Sequence, residues 1–307
     1  MFKNKKLILS GIAAIMLSIT GCQTSNLITV ESNNQSVVVP KSPKKIVVMN
    51  YGSLDTLDAL GKGSLVVGTS LPVIPTYLQQ YKNTNVADTG SMKAPNLETI
   101  KQLKPDLIII DGRQASKYEE LTKIAPVLNL SIDAKNYLQS TQEHINLLGE
   151  LTNTQETANV LIQSLQNKIS QAQTEAQKSN KKAIVAIHND GKVILINNSS
   201  SATLIHDVLN VSRAVPLTQV IMNSKEKPKP TFIDNQYIAT IKPDIVYIVD
   251  RSKAIGNQAM TNDYFDAKVL KKSKTKIVNL SADIWYLSGG GLESLDRQID
   301  EVVDSLK

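Results

Sequence analysis

Residues 100–113 read IKQLKPDLIIIDGR, and residues 238–251 read IATIKPDIVYIVDR. Aligned without a gap at an offset of 138 residues, they share Ile100/Ile238, Lys104/Lys242, Pro105/Pro243, Asp106/Asp244, Ile110/Ile248 and Arg113/Arg251. Each copy carries the end of a helix and then a Lys-Pro-Asp turn, where the missing N–H and fixed φ of proline forbid further helix. A β-branched run of buried-strand type follows and ends at an arginine. A fainter echo pairs Asp58-Ala59-Leu60-Gly61 with Asp207-Val208-Leu209-Asn210. Recurrence of one supersecondary unit implies two lobes of similar α/β build.

Outward from the first copy, Ile46-Val47-Val48-Met49 reads as a buried strand, and Leu54, Leu57 and Leu60 give a helix that stops at Gly61. Between the copies the chain lacks proline from Leu128 to Val215. There Ala158, Leu161, Leu165, Ile169, Ala172 and Ala176 recur three or four apart. This predicts one amphipathic helix over 155–177, about 35 Å long, with Asn153 and Glu156 as its N-terminal cap. Such a helix suits a brace between two lobes, and on spacing alone it equally suits the surface of one larger domain.

The chain starts differently. Lys3, Lys5 and Lys6 precede an apolar run from Leu7 to Thr20 that ends in Ile19-Thr20-Gly21-Cys22. Residues 1–22 read as a signal peptide. Cys22 is the only cysteine, so a disulfide framework, a zinc ribbon or a CxxC redox site within one chain is excluded. Its tetrapeptide resembles a bacterial lipobox, which implies cleavage before an acylated Cys22 and a membrane anchor worth about 0.8 kcal/mol per buried methylene. Residues 23–43 are polar and read as a flexible tether with a short strand at Val37–Val39. The formal charge of +6 includes the three leader lysines. The remainder lacks the clustered basic surface of a nucleic-acid binder, so no nucleic-acid partner is expected.

Nucleophile elbows, phosphate loops, dinucleotide glycine patterns and His-Glu-x-x-His are absent from the sequence, and no catalysis is expected. His144, His188 and His206 fall on different predicted elements, which disfavours a directly bound zinc or manganese ion. Open α/β sheets present ligands at the carboxyl ends of their strands, where Arg113 and Arg251 stand. A lone arginine there is commonly a surface or ion-pair residue. Recurrence in both copies points instead to a shared cleft for an anionic, oxygen-rich ligand.

Several motifs together carry a family resemblance: Gly52 to Gly61, Leu103-Lys104-Pro105-Asp106-Leu107, Gly112-Arg113-Gln114, Ile205-His206-Asp207-Val208-Leu209, Val249-Asp250-Arg251 and Trp285-Tyr286-Leu287-Ser288-Gly289-Gly290-Gly291. From about Val38 to its end the chain resembles the catecholate-siderophore-binding lipoproteins of bacterial ABC importers. The resemblance implies an α/β class III binding protein: two Rossmann-like lobes, 44–153 and 180–307, bridged by a backbone helix at 154–179. It implies a monomer without intrinsic cofactor, lipid-anchored outside the cytoplasmic membrane, whose ligand is a ferric siderophore and whose partner is an ABC permease. Haem or a corrinoid on the same fold, or a protein partner at the cell surface, are the alternatives.

Carried over residue by residue, the resemblance makes Arg113 and Arg251 cationic clamps and Tyr286 a phenolate ligand for ferric iron, with Trp285 and Tyr51 in the binding set. Where the family has a third arginine this chain has Ser201, and where relatives place an iron-binding histidine it has Lys229, within a basic run from Lys225 to Pro230 that also suits a solvated loop. For permease docking the resemblance supplies Glu98. Its twin at the repeat offset is Gln236, which leaves Asp234 as the nearest acid.

Overall fold

The computed structural model describes residues 26–32, 35–217 and 229–307; the signal peptide, Cys22 and most of the basic run lie outside them. Two strands, β1 (Leu27–Ser32) and β2 (Gln35–Pro40), pair antiparallel from Leu27↔Pro40 to Ser32↔Gln35. Ile28, Val30, Val37 and Val39 face the core of the first lobe, while Leu27, Thr29 and Val38 face solvent. Ser32 Oγ both donates to Asn129 O (3.1 Å) and accepts from Asn129 N (2.8 Å). The short strand expected at Val37–Val39 lies within β2, and the rest of the tether expected at 23–43 is corrected at β1 and at the ends of β2. Alternating apolar residues on both strands bury one face of the ribbon, which a free tether would leave wet.

The first lobe continues through β3 (Ile46–Val48), α1 (Tyr51–Ala59), β4 (Val66–Thr69), β5 (Ala87–Asp88), α2 (Leu97–Leu103), β6 (Leu107–Ile110), α3 (Tyr118–Leu121) and β7 (Val127–Asn129). Its sheet is wholly parallel in the order β5-β4-β3-β6-β7. The order reverses between β3 and β6, which makes the carboxyl ends of those two strands the natural ligand crevice. Both strands are buried on both faces, as their unbroken Ile/Val/Leu runs require.

Two helices leave this lobe, α4 (Tyr137–Leu151) and α5 (Gln155–Ser179). Ala158 and Ile162 of α5 join the first core, while Leu165, Ile169, Ala172 and Ala176 join the second. One helix thus inserts its apolar stripe into both cores, which decides for the brace over the surface helix. The expected cap is displaced by one residue: Thr154 is the N-cap, and Asn153 sits at φ 55° in the tight link from α4.

The second lobe comprises β8 (Lys182–Asn189), β9 (Lys192–Leu195), α6 (Ser200–Ala202), which runs on as a π-helical turn to Val208, β10 (Ser212–Arg213), α7 (Asn235–Ile241), β11 (Ile245–Asp250), α8 (Arg251–Ala254), α9 (Ala267–Ser273), β12 (Lys276–Leu280) and α10 (Leu292–Leu306). Its parallel path is β10-β8-β11-β12, with β9 antiparallel on β8. The repeated turns close identically. Lys104 (φ 49°, ψ 57°) and Lys242 (φ 49°, ψ 56°) are left-handed C-caps. Asp106 then accepts from the N–H groups of Lys44 (2.7 Å) and Lys45 (3.0 Å), and Asp244 from that of Lys182 (2.8 Å). Each aspartate ties its turn to the start of the neighbouring strand, so the repeat in sequence is a repeat in hydrogen bonding.

Candidate functional site

The crevice ends of the two sheets meet at Tyr286. In the first lobe Asp111 caps the turn Gly112–Lys117, accepting from Arg113 N (2.7 Å), and Gln114 Oε1 accepts from Asp111 N (2.9 Å). Arg113 Nη1 pairs with Asp111 Oδ2 (2.7 Å), and Nη2 donates to Tyr286 O (2.6 Å). In the second lobe Asp250 caps α8, whose first residue is Arg251. Arg251 Nε donates to Tyr286 Oη (2.9 Å), and its Nη1 donates to Asn189 Oδ1. The two guanidinium carbons lie 5.8 Å and 5.7 Å from the centre of the Tyr286 ring, within cation–π range. Tyr286 itself belongs to a π-helical turn, Asp283–Leu287, that follows β12.

Beside this cluster lies a cavity of about 500 Å³, walled by Arg113 and Asn50 from the first lobe and by Ser201, Trp285 and Tyr286 from the second. Ile187 and Val249, partners across β8 and β11, form part of the wall. Trp285 donates its Nε1 to Glu301 Oε2 (3.0 Å), which leaves the indole face as apolar lining.

Of the residues singled out in the sequence, Arg113, Ser201, Trp285 and Tyr286 line the cavity. Arg251 is not among the lining residues; it stands behind Tyr286 and reaches it through Nε. Tyr51 requires correction. Its ring is fully buried in the first-lobe core and its hydroxyl donates to Ser70 O (2.7 Å), with burial pushing its pKa up to about 12. It packs with Leu54 and Leu57 in the first core and does not line the cavity. Lys229 is exposed and does not line the cavity. Cys22 lies outside the described residues.

Glu98 and Gln236 are exposed at the second positions of α2 and α7. Their caps, Asn96 and Asp234, accept from Thr99 N (3.1 Å) and Tyr237 N (2.7 Å). The register is therefore unbroken: Gln236 is the true twin of Glu98, and the Asp234 carboxylate serves its own helix.

Sequence reasoning missed Asn50, Tyr137 and Gln298. Asn50 is the N-cap of α1, accepting from Ser53 N (3.1 Å) and donating to Leu130 O (3.0 Å). Tyr137 and Gln298, 3% exposed each, are among the residues lining the cavity. A polar residue on the apolar face of a helix is the signal that could have found Gln298.

The lobes are also bolted together beneath the cavity. Asp55 of α1 is fully buried and accepts from Ser294 N (3.1 Å) and Glu293 N (3.4 Å), capping α10, whose own N-cap Gly291 has no side chain. Tyr77 Oη hydrogen-bonds both Asp55 Oδ2 (2.9 Å) and Ser288 Oγ (3.0 Å). Burial pushes the Asp55 carboxyl up to about 7 against these donors. A Cβ at Gly291 would stand 2.1 Å from Asp55 Oδ1, so only glycine permits this approach. Thr76 adds a second bolt, donating from N (2.8 Å) and Oγ1 (2.7 Å) to Asp283 Oδ2.

The histidines serve the frame. His188 Nδ1 lies 2.8 Å from Asp250 Oδ1, both buried, and His206 Nδ1 donates to Val211 O (2.7 Å). Desolvation pushes His144 and His206 down to about 4. Among the described residues no group of three or more His, Cys, Asp or Glu side chains is gathered where it could hold a metal ion.

This chain belongs to the periplasmic binding protein family, whose model matches residues 46–275. The petrobactin-binding protein YclQ of Bacillus subtilis is 33% identical over 323 aligned positions, covering 100% of both chains. Its crystal structure superposes with a TM-score of 0.82 at 36% identity, covering 92% of this chain and 99% of that one. The ferric-anguibactin-binding protein FatB of Vibrio anguillarum is 27% identical over 95% of each chain. The periplasmic catecholate-siderophore binding protein VctP of Vibrio cholerae superposes with a TM-score of 0.78 at 25% identity, covering 90% and 99%. The fold is that of class III binding proteins, and members of the family are substrate-binding proteins.

Proposed function

We propose that this protein captures a ferric siderophore of catecholate or mixed-catecholate type in the Tyr286 cavity and delivers it to an ABC permease. The observation that carries this reading is the convergence of arginines from both lobes on one tyrosine at the cavity wall. Ferric catecholates are anionic and rich in oxygen. Arg113 offers a permanent charge with forked donors, and the Tyr286 phenolate is a hard oxygen ligand of the kind Fe(III) favours. The indole of Trp285, with Leu204 and Ile196, supplies apolar wall for catechol rings. Ser201, at the position of the family's third arginine, contributes an uncharged hydroxyl. The likeness to YclQ, FatB and VctP, three siderophore-binding proteins, supports the ligand class.

In this reading the protein works as a monomer without intrinsic cofactor or catalysis, held outside the cytoplasmic membrane by lipid on Cys22. It docks through the exposed first turns of α2 and α7, with Glu98 carrying charge on one lobe and Gln236 a neutral amide on the other. Trp285 is the only tryptophan and lines the cavity, so its fluorescence reports binding directly. Titration with ferric bis-catecholate, ferric hydroxamate and haem should give saturable quenching, tightest with the catecholate. Tighter binding of haem, or no saturation by any iron complex, overturns the reading.

A further inference from the structure

Among the described residues that line the cavity, two carry formal charge, Arg113 and Asp111, and they are paired with one another at 2.7 Å. The other lining residues are uncharged, including the run Ser199-Ser200-Ser201 of the second lobe. Arg251 does not line the cavity; its Nε donates to Tyr286 Oη (2.9 Å) and its Nη1 to Asn189 Oδ1. The formal charges of the wall therefore cancel.

The two oxygens of Asp111 have separate partners. Oδ1 accepts from Arg113 N (2.7 Å) and caps the turn Gly112–Lys117, while Oδ2 accepts from Arg113 Nη1. Asparagine caps a helical turn about as well as aspartate, so the turn requires the oxygen and not the charge. The charge acts on the cavity instead, where it offsets the one cation of the wall.

Moving an ion out of water costs free energy that rises with the square of its charge, and only opposite charge and donors around it offset that cost. A wall whose charges cancel offsets little of it. We propose that Asp111 is a specificity-determining residue that sets the cavity for ferric chelates of low net charge. Three catecholates on ferric iron make a trianion. The class favoured here is a chelate brought near a monoanion, by a neutral donor in place of one catecholate or by a cation on the linker. This inference rests on the ferric-siderophore reading and deepens it: Arg113 and Tyr286 recognise an iron–oxygen core, and Asp111 limits the negative charge that core carries. Like charge set against a competitor is a recognised means of specificity.

The test compares two complexes of one tris-catecholate chelator, with Fe(III), a trianion, and with Ti(IV), a dianion. Donor atoms and shape are shared, the metal's coordination sphere is filled in both, and a single unit of charge separates them. Each competes with bound ferric bis-catecholate in isothermal titration, which keeps weak binding measurable. Wild type is expected to bind the titanium complex more tightly, by roughly threefold or more. Asp111→Asn keeps the cap and removes the charge, and should narrow that ratio by about two- to fivefold, the scale of one partly exposed charge interaction. Equal binding of the two complexes by wild type, or preference for the trianion, overturns the inference and leaves the ferric-siderophore reading standing; this arm does not depend on the variant folding. A ratio unchanged in Asp111→Asn also overturns it, as does exclusion of both complexes, which would make size the selector. Failure of wild type to bind ferric bis-catecholate overturns both.

Discussion

In the first lobe the capping aspartate, Asp111, stands two residues before its arginine; in the second, Asp250 stands one residue before. That single step follows from strand length, since β11 runs for six residues through Asp250 and β6 for four, ending at Ile110. The consequences diverge. Asp111 folds back onto Arg113 Nη1, so the first-lobe arginine carries its own counter-ion to the cavity wall. Asp250 is engaged by His188 Nδ1 and by the N–H groups of Lys253 (3.0 Å) and Met260 (2.7 Å). Arg251 turns instead to the Tyr286 hydroxyl. Two arginines equivalent in sequence are thus inequivalent in role: one faces the cavity, and the other positions the tyrosine that does.

The largest expected effect separates them. Arg113→Ala should weaken binding of an anionic ferric catecholate by very roughly tenfold to a hundredfold, the worth of a hydrogen bond to a charged group. Isothermal titration measures it, and an unchanged Kd would remove Arg113 from the site.

The inequivalence matters only if the lobes are held in fixed relation, and Asp55 is the group that tests the bolt. Its carboxyl sits near 7 in the folded protein and at an ordinary low value when unfolded, so the folded state binds the extra proton between. Stability should therefore fall as pH rises from about 4 to about 7, with a slope approaching 1.4 kcal/mol per pH unit, and level off above. Asp55→Asn retains an oxygen for Ser294 N and should flatten that window in urea melts. A slope that persists in the variant assigns the proton elsewhere.

If Arg251 acts through Tyr286, its loss should not add to the loss of the phenol oxygen. Arg251→Ala should cost about three- to tenfold alone and close to nothing in a Tyr286→Phe background. Full additivity in that double-mutant cycle would make Arg251 a direct ligand clamp. The smallest effect has the opposite sign. Asp111→Asn can still cap the turn but leaves Arg113 unneutralised, so affinity for an anionic complex should rise by about two- to fivefold. A drop would mean that the ion pair orients the guanidinium more than it shields it.

The parts legible in the sequence were those set by local chemistry repeated or periodic along the chain. Lys-Pro-Asp twice, with buried strands after it, predicted two sheets, and the spacing from Ala158 to Ala176 predicted α5. The echo of Gly61 and Asn210 is a pair of left-handed helix ends, φ 69° and 60°. Of the hairpin only the strand at Val37–Val39 was expected; β1 escaped because Ile28 and Val30 alternate within a polar stretch and pack against a core drawn from residues distant in sequence. Tyr51 was misplaced because it precedes the motif Gly52 to Gly61, which fixes the helix but not which way the side chain before it turns. Tyr137 and Gln298 belong to no motif; they meet at the cavity only through the packing of helices more than a hundred residues apart in sequence.

Both lobes converge on Tyr286, and in the proposed function its phenol oxygen meets the iron of the cargo. Visible absorption of a tetradentate ferric bis-catecholate, which leaves iron sites open, tests this most directly. On binding wild type, its charge-transfer band should shift as a tyrosinate oxygen joins the iron. With Tyr286→Phe the band of the bound complex should return toward that of the free complex, and a hexadentate complex should show little change with either protein. Identical bound spectra for wild type and Tyr286→Phe with the tetradentate complex would contradict the account.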